Sequence, residues 1–368
     1  MADSEMKRFP EAWMVDSNKK PRWGYTQGLE ALAFQQLWLA TGDQKYYDYQ
    51  KGYADSLIAA DGTIKTYQKT EYNLDQINSG KILFYLYEQT GDPRYKAAID
   101  TLRNQLLTHP RTADGGFWHK HKYTHQMWLD GIYMADPFLA QYAAVFNDSL
   151  AFDDVVLQVK TIQKHTYDPK TGLNFHGWDE SKEQKWANPE TGCSPNFWGR
   201  SVGWYSMALV DILDYLPENH PGRPEIITIL DSLLNSLINF QDKETGLWYQ
   251  VLDQGGREGN YLEATASSMF VYSMTKAVNK GYVNPELLKV AQKGFDGIIA
   301  KLIKENEDGT ISLTQCCSVA GLGGNPYRDG SYEYYIGEPV RDNDPKGTGP
   351  FILACLELNK ANAETPEK

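Results

Sequence analysis

Apolar residues recur at helical spacing through eight stretches of this chain: 29–40, 76–89, 94–107, 137–147, 204–216, 224–240, 263–279 and 286–304. Strand-like alternation is confined to short pieces beside turns. The punctuation agrees with helices. Leu-Ala-Thr-Gly-Asp at 39–43 and Glu-Gln-Thr-Gly-Asp at 88–92 read as helix ends with glycine just past the last turn. Asp92-Pro93, Asp136-Pro137 and Asn284-Pro285 read as N-caps followed by proline in the first turn.

The turns repeat. Asp61-Gly-Thr-Ile-Lys, Asp114-Gly-Gly-Phe-Trp, Asp168-Pro-Lys-Thr-Gly-Leu, Asp242-Lys-Glu-Thr-Gly-Leu-Trp and Asp308-Gly-Thr-Ile-Ser follow one another at intervals of about 50–75 residues, room for two helices and their loops. Each suits a short two-stranded excursion between helices. Five such turns separate six units. The pattern predicts an all-α fold, six helical hairpins closed into an (α/α)6 barrel, with an open superhelix as the alternative. No linker breaks the composition, so residues 1–360 are expected to form one domain and 361–368 a C-terminal tail. In a hairpin ring the loops at one end surround a central cleft, and functional residues are expected beside equivalent turns.

Composition narrows the function. Hydrophobic residues are 41% of the 368, enough for a large core. Lys and Arg total 36 against 48 Asp and Glu, a net charge of −12, which argues against nucleic-acid partners and long acidic polymers but not against a small ligand with one carboxylate. Four cysteines, Cys193, Cys316, Cys317 and Cys355, form no CxxC pair and suggest buried thiols. The polar N-terminus and the absence of a long apolar run predict a soluble protein without a membrane partner, cytoplasmic or periplasmic. Ten Trp and 24 Tyr, many in glycine-rich loops, are the residue types on which sugar rings stack.

The densest chemistry lies in 114–138. Asp136, before Pro137, reads as a cap. Asp130 shows no such duty and reads as a general acid or as a second capping or loop aspartate: it follows Trp128 by two residues, and desolvation beside an indole can raise a carboxyl pKa in the way a general acid needs. His119, Lys120, His121, Lys122 and His125 lack the spacing of a metal site and read as a positive loop for an acidic group, or as a solvated basic loop. In 196–204, Arg200 and Trp204 share a helix face with Trp198 just before it, a carboxylate fork between two indoles or an Arg packed on Trp. Asp75 is either a cap or a second carboxylate facing Asp130. His176 and Trp178 follow the third turn.

His119-Lys120, Gln-Met-Trp-Leu-Asp-Gly-Ile-Tyr-Met at 126–134, Trp-Gly-Arg-Ser-Val-Gly-Trp at 198–204, Tyr-Leu-Glu-Ala-Thr-Ala-Ser at 261–267, Ser-Val-Ala-Gly-Leu-Gly-Gly at 318–324 and Gly-Ser-Tyr-Glu-Tyr-Tyr at 330–335 together resemble the unsaturated rhamnogalacturonyl hydrolases, glycoside hydrolase family 105. The resemblance runs along essentially the whole chain. It implies an (α/α)6 barrel, no metal and no organic cofactor. It implies a small unsaturated oligosaccharide substrate left by pectin lyases, with a 4,5-unsaturated uronic acid at its non-reducing end. The reaction it implies is hydration of that double bond, Asp130 protonating C4 and then helping water add at C5, with release of the neighbouring sugar, typically rhamnose. It makes Asp75 the second site aspartate, His119, Lys120, Trp128, His176, Trp198, Arg200 and Trp204 substrate contacts, and Tyr25 a further contact. A monomer or weak homo-oligomer is expected. A conventional inverting glycosidase on saturated glycans, using Asp75 with Asp130, and a non-catalytic carbohydrate-binding protein are the alternative readings.

Overall fold

A computed structural model describes residues 1–363 of the chain. Its helices, in order, are α1 (Ala2–Arg8), α2 (Tyr25–Thr41), α3 (Gln44–Leu57), α4 (Asp75–Asn78), α5 (Lys81–Thr90), α6 (Pro93–Leu107), α7 (Leu129–Phe146), α8 (Ser149–Thr166), α9 (Gly199–Ile212), α10 (Arg223–Ile238), α11 (Ala264–Asn279), α12 (Leu287–Leu302), α13 (Tyr332–Gly337) and α14 (Pro345–Ala363). Six short strands form three antiparallel pairs: β1 (Gln126–Trp128) with β2 (Gly177–Asp179), β3 (Ile303–Glu305) with β4 (Ile311–Leu313), and β5 (Cys316–Cys317) with β6 (Val340–Arg341).

The helices pack as two concentric layers. In the inner one α2 meets α4 and α5, these meet α7, α7 meets α9, α9 meets α11, α11 meets α14, and α14 returns to α2. That last contact closes the ring and removes the open superhelix. α3, α6, α8, α10 and α12 back the inner helices from outside. The sixth outer place holds only the short α1. It is tied to α3 through Asp3 and Tyr46, 3.0 Å, and to β4 through Arg8 and the Ile311 carbonyl, 2.5 Å. The core is continuous around the ring, with Phe34, Leu83, Phe138, Leu209 and Phe270 fully buried.

All five repeat turns sit where an outer helix hands the chain to the next inner one. The same backbone bond closes each of them: Ala59 N to Thr63 O, Thr112 N to Gly116 O, Asp168 N to Leu173 O, Asp242 N to Leu247 O and Asn306 N to Thr310 O, at 2.8–2.9 Å. In the longer turns the Asp168 and Asp242 carboxylates accept from the following Thr171 and Thr245, an Asx-type local closure. Gly115 shows why glycine stands there: its φ of 89° is a left-handed value that a Cβ resists. Gly91 ends α5 at φ 65°, its N–H donating to the Tyr87 carbonyl at 2.8 Å.

Three expectations are corrected. Asp136 is no cap, because α7 begins eight residues before Pro137 expected it to and runs through the proline. Pro137 leaves one bond of the ladder unmade, and the burial of its neighbours Met134, Ala135, Phe138 and Leu139 in the ring holds the helix across it. The stretch 76–89 is two helices, α4 and α5, interrupted at Ser79–Gly80; the Tyr53 hydroxyl lies 3.3 Å from Ser79 Oγ there, and a Cβ on Gly80 would strike Leu102 and Phe138. The expected tail begins too early, since α14 continues to Ala363; residues 364–368 lie outside the described ones. Among the described residues no helix is long and apolar enough to cross a membrane.

Candidate active site

The N-terminal ends of the inner helices gather at one mouth of the barrel. Tyr25 opens α2, Asp75 opens α4, Asp130 is second in α7, Arg200 second in α9, Glu263 caps α11, and Lys346 is second in α14. Helix N-termini carry partial positive charge, so this arrangement favours an anionic guest in spite of the net −12. A cavity of about 430 Å³ opens here, walled by Tyr25, Asp75, Lys120, Lys122, Arg341 and Lys346 among others.

The β1–β2 ribbon places the central pair. Trp128 is in register with Gly177, and Leu129 N donates to the His176 carbonyl at 3.0 Å. Asp130 and His176, 46 positions apart by their numbers, are thereby neighbours: Asp130 Oδ2 lies 3.2 Å from His176 Nε2. The contact is not aligned as a hydrogen bond, and among the described residues neither atom has another partner. The other ring nitrogen, Nδ1, is 2.7 Å from the Tyr335 hydroxyl. His176 is fully buried, while Asp130 keeps 14% of its side chain exposed.

Asp75 is held differently. Lys120 Nζ donates to its Oδ2, and His119 Nε2 lies 3.4 Å from its Oδ1. Burial would push this carboxyl up, but the Lys120 and His119 side chains more than offset it and hold it below the usual carboxylate range. Asp75 is therefore ionised. His119 is pushed down to about 4 by burial, against the opposing pull of Asp75, so its ring is neutral near pH 7. Burial, reinforced by the Asp75 charge, raises the Tyr25 hydroxyl well above its ordinary value.

The indole of Trp128 stacks on His119 with centroids 4.4 Å apart and meets His176 edge-on at 5.4 Å. Trp198 tilts against His176 at 4.8 Å and stacks on Tyr335 at 5.9 Å. Open aromatic platforms are not found at Trp198 and Trp204, each 1% exposed. Trp204 stacks on Tyr133 at 4.8 Å and supports Tyr25 from the side. Arg200 is equally buried. Its guanidinium donates to the Cys317 carbonyl and lies 3.5 Å from Glu263, so in this structure it knits α9 to α11 and β5 instead of reaching into the cavity. The cations that do line the cavity are Arg22, Lys120, Lys122, Arg341 and Lys346.

Sequence reasoning singled out neither Tyr335 nor Lys346. Tyr335 is one of 24 tyrosines and acquires meaning only through its bond to His176. Lys346 lies in Pro-Lys-Gly-Thr-Gly-Pro, which reads as a loop but opens α14.

The profile of glycosyl hydrolase family 88 matches residues 1–362. This chain is a member of the family 88 and family 105 glycoside hydrolases. A family 105 glycoside hydrolase of Clostridium acetobutylicum superposes on the family member described here with a TM-score of 0.93 at 45% identity, over 97% of this chain and 98% of that one. An unsaturated rhamnogalacturonyl hydrolase of Bacillus subtilis is 24% identical over 317 residues, 84% of each chain. The unsaturated glucuronyl hydrolase of Bacillus sp. GL1 shares the fold, with a TM-score of 0.71 at 12% identity over 98% of this chain. The hydrolase fold is thus the six-hairpin helical barrel, and sequence similarity at the level of family 105 extends over its whole length.

Proposed function

We propose that this glycoside hydrolase hydrates the C4=C5 double bond of a 4,5-unsaturated uronic acid at the non-reducing end of pectin-derived, rhamnogalacturonan-type oligosaccharides and releases the adjacent sugar, typically rhamnose. Asp130 gives its proton to C4 of the enol ether, and positive charge develops at C5 and the ring oxygen. Water adds at C5 while the Asp130 carboxylate takes up one of its protons, which restores the acid. The resulting hemiketal opens, the bond to the neighbouring sugar breaks, and no covalent enzyme intermediate is required.

The observation that carries this reading is the unlike treatment of the two aspartates. Asp75, ionised against Lys120, is suited to stabilising the positive charge at C5 and not to donating a proton. Asp130 faces the His176 ring at 3.2 Å and has no lysine or arginine ion pair among the described residues. One acid that changes role and one fixed anion match hydration of an enol ether. Lys120, Lys122 and Lys346 line the cavity and can receive the uronate carboxylate, with Tyr25 in the same wall; Trp128 packs against His119 and His176 beside the two aspartates, and Trp198, Arg200 and Trp204 lie buried behind them. No cofactor enters the scheme, and a monomer suffices for it.

A mass-spectrometric screen against lyase-generated pectic, alginate and glycosaminoglycan disaccharides tests the proposal. Gain of one water and appearance of two sugars from the pectic substrate is the expected result. Turnover of saturated glycans alone, or sugar binding without product, would overturn it.

A further inference from the structure

The opposite mouth of the barrel holds a second cavity, of about 340 Å³. Its walls come from the C-terminal halves of the inner helices: Gln35 of α2, Gln141 of α7, Asp211 of α9, Lys276 of α11 and Glu357 of α14, with Lys81 of α5. The reaction above uses none of them.

The charges around this cavity are paired, with one exception. Lys276 Nζ bridges Asp211 and Asp214, both at 2.6 Å. Lys280 reaches Asp214 at 2.9 Å, Lys360 reaches Glu357 at 2.7 Å, and the Tyr272 hydroxyl donates to Asp211 at 2.7 Å. Lys81 is 3% exposed, and its Nζ has no hydrogen-bond partner among the described residues. It rests 3.7 Å from the centroid of the Tyr133 ring. Three ammonium groups therefore face three carboxylates, and Lys81 is left over. Burial pushes this amine down to about 7, with the Asp211 charge opposing and Lys276 adding to the fall. A buried ammonium without a charged partner is costly to keep, and a guest that supplies the missing charge offsets the cost.

We propose that this cavity is a second ligand site, separate from the catalytic mouth, for a small oxyanion, carboxylate or phosphate, that forms an ion pair with Lys81. The volume suits a small organic acid, and the Gln35 and Gln141 amides can donate to oxygen atoms the lysine does not reach. Binding above neutral pH draws a fraction of a proton onto Lys81, because the anion stabilises its charged form.

Calorimetric titration of the intact protein with inorganic phosphate and with galacturonate, each in two buffers of different ionisation enthalpy, tests this. Binding of either anion with buffer-dependent proton uptake is expected, and the anion that binds identifies the chemistry. In Lys81→Met the affinity should fall at least about tenfold, as expected for loss of a charge-assisted contact, while hydrolase activity is unchanged. Galacturonate binding that survives in Lys81→Met reports the catalytic mouth and counts against the proposal. Failure of both anions to bind the wild-type protein, or equal affinity for the variant, overturns it. Should Lys81→Met not fold, Lys81→Gln takes its place, and affinity equal to wild type in that variant overturns the proposal.

Discussion

Asp130 Oδ2 and His176 Nε2 lie 3.2 Å apart without sharing an aligned hydrogen bond. Each is thus near the other yet free to engage a third atom. Asp130→Asn keeps the shape of the side chain and removes its acid. It should fold with an unchanged far-ultraviolet circular dichroism spectrum and lose activity on an unsaturated disaccharide by about a thousandfold or more. The measurement is the decay of the conjugated uronate absorbance. Activity within tenfold of wild type would remove Asp130 from the chemistry.

Tyr335 fixes the far side of the same imidazole at 2.7 Å. It is a positioning residue, acting through His176. Tyr335→Phe should lower kcat by about ten- to a hundredfold with little change in KM and should shift one limb of the kcat/KM pH profile. The global cost should be only about 1 kcal/mol, one hydrogen bond. A loss of stability with an unmoved pH profile would assign Tyr335 a packing role alone.

Asp75→Asn strips Lys120 and His119 of their shared partner. Uronate binding should survive, because Lys120 is then released toward the cavity, while kcat should fall by about a hundredfold as the fixed negative charge is lost. Separate determination of kcat and KM checks the division. A rise in KM with kcat intact would make Asp75 a binding residue.

Stability should depend on pH through His119. Its folded value is about 4 against an ordinary 6.5, so between these limits the unfolded chain binds the proton and the folded one does not. Stability contributed by the neutral ring is complete above about pH 6.5 and is lost as pH falls through 4, by about 3 kcal/mol at most. Thermal melts between pH 7 and 4 should show the decline, and His119→Gln should flatten it. Identical slopes for the two proteins would contradict the assignment.

The ring was legible in the chain because its turns are local. Asp-Gly and Asp-x-x-Thr-Gly closures depend on a few adjacent residues, and all five stand where their spacing put them. Helices whose stability comes from tertiary packing were less visible. α3 is crowded with tyrosine and lysine around Gly52, α8 contains a valine-rich run that suits a strand equally well, and α14 begins with two glycines and two prolines in its first six residues. Asp136 misled because Asp-Pro marks a helix start in isolation, whereas the surrounding ring forces α7 straight through it. In the site, Asp130, His119 and Trp128 were readable as one dense segment. The direction of Arg200 was not, since its partners Glu263 and Cys317 come from distant segments.

The contact of α14 with α2 has a consequence for biosynthesis. The first inner wall leaves the ribosome more than 300 residues before its neighbour on that side. Until then the apolar flank of α2 has no permanent cover, and Lys346 has not arrived at the catalytic mouth. Maturation of the enzyme therefore awaits the synthesis of α14. Chains halted before α14 should expose a sticky seam, attract chaperones and show no turnover.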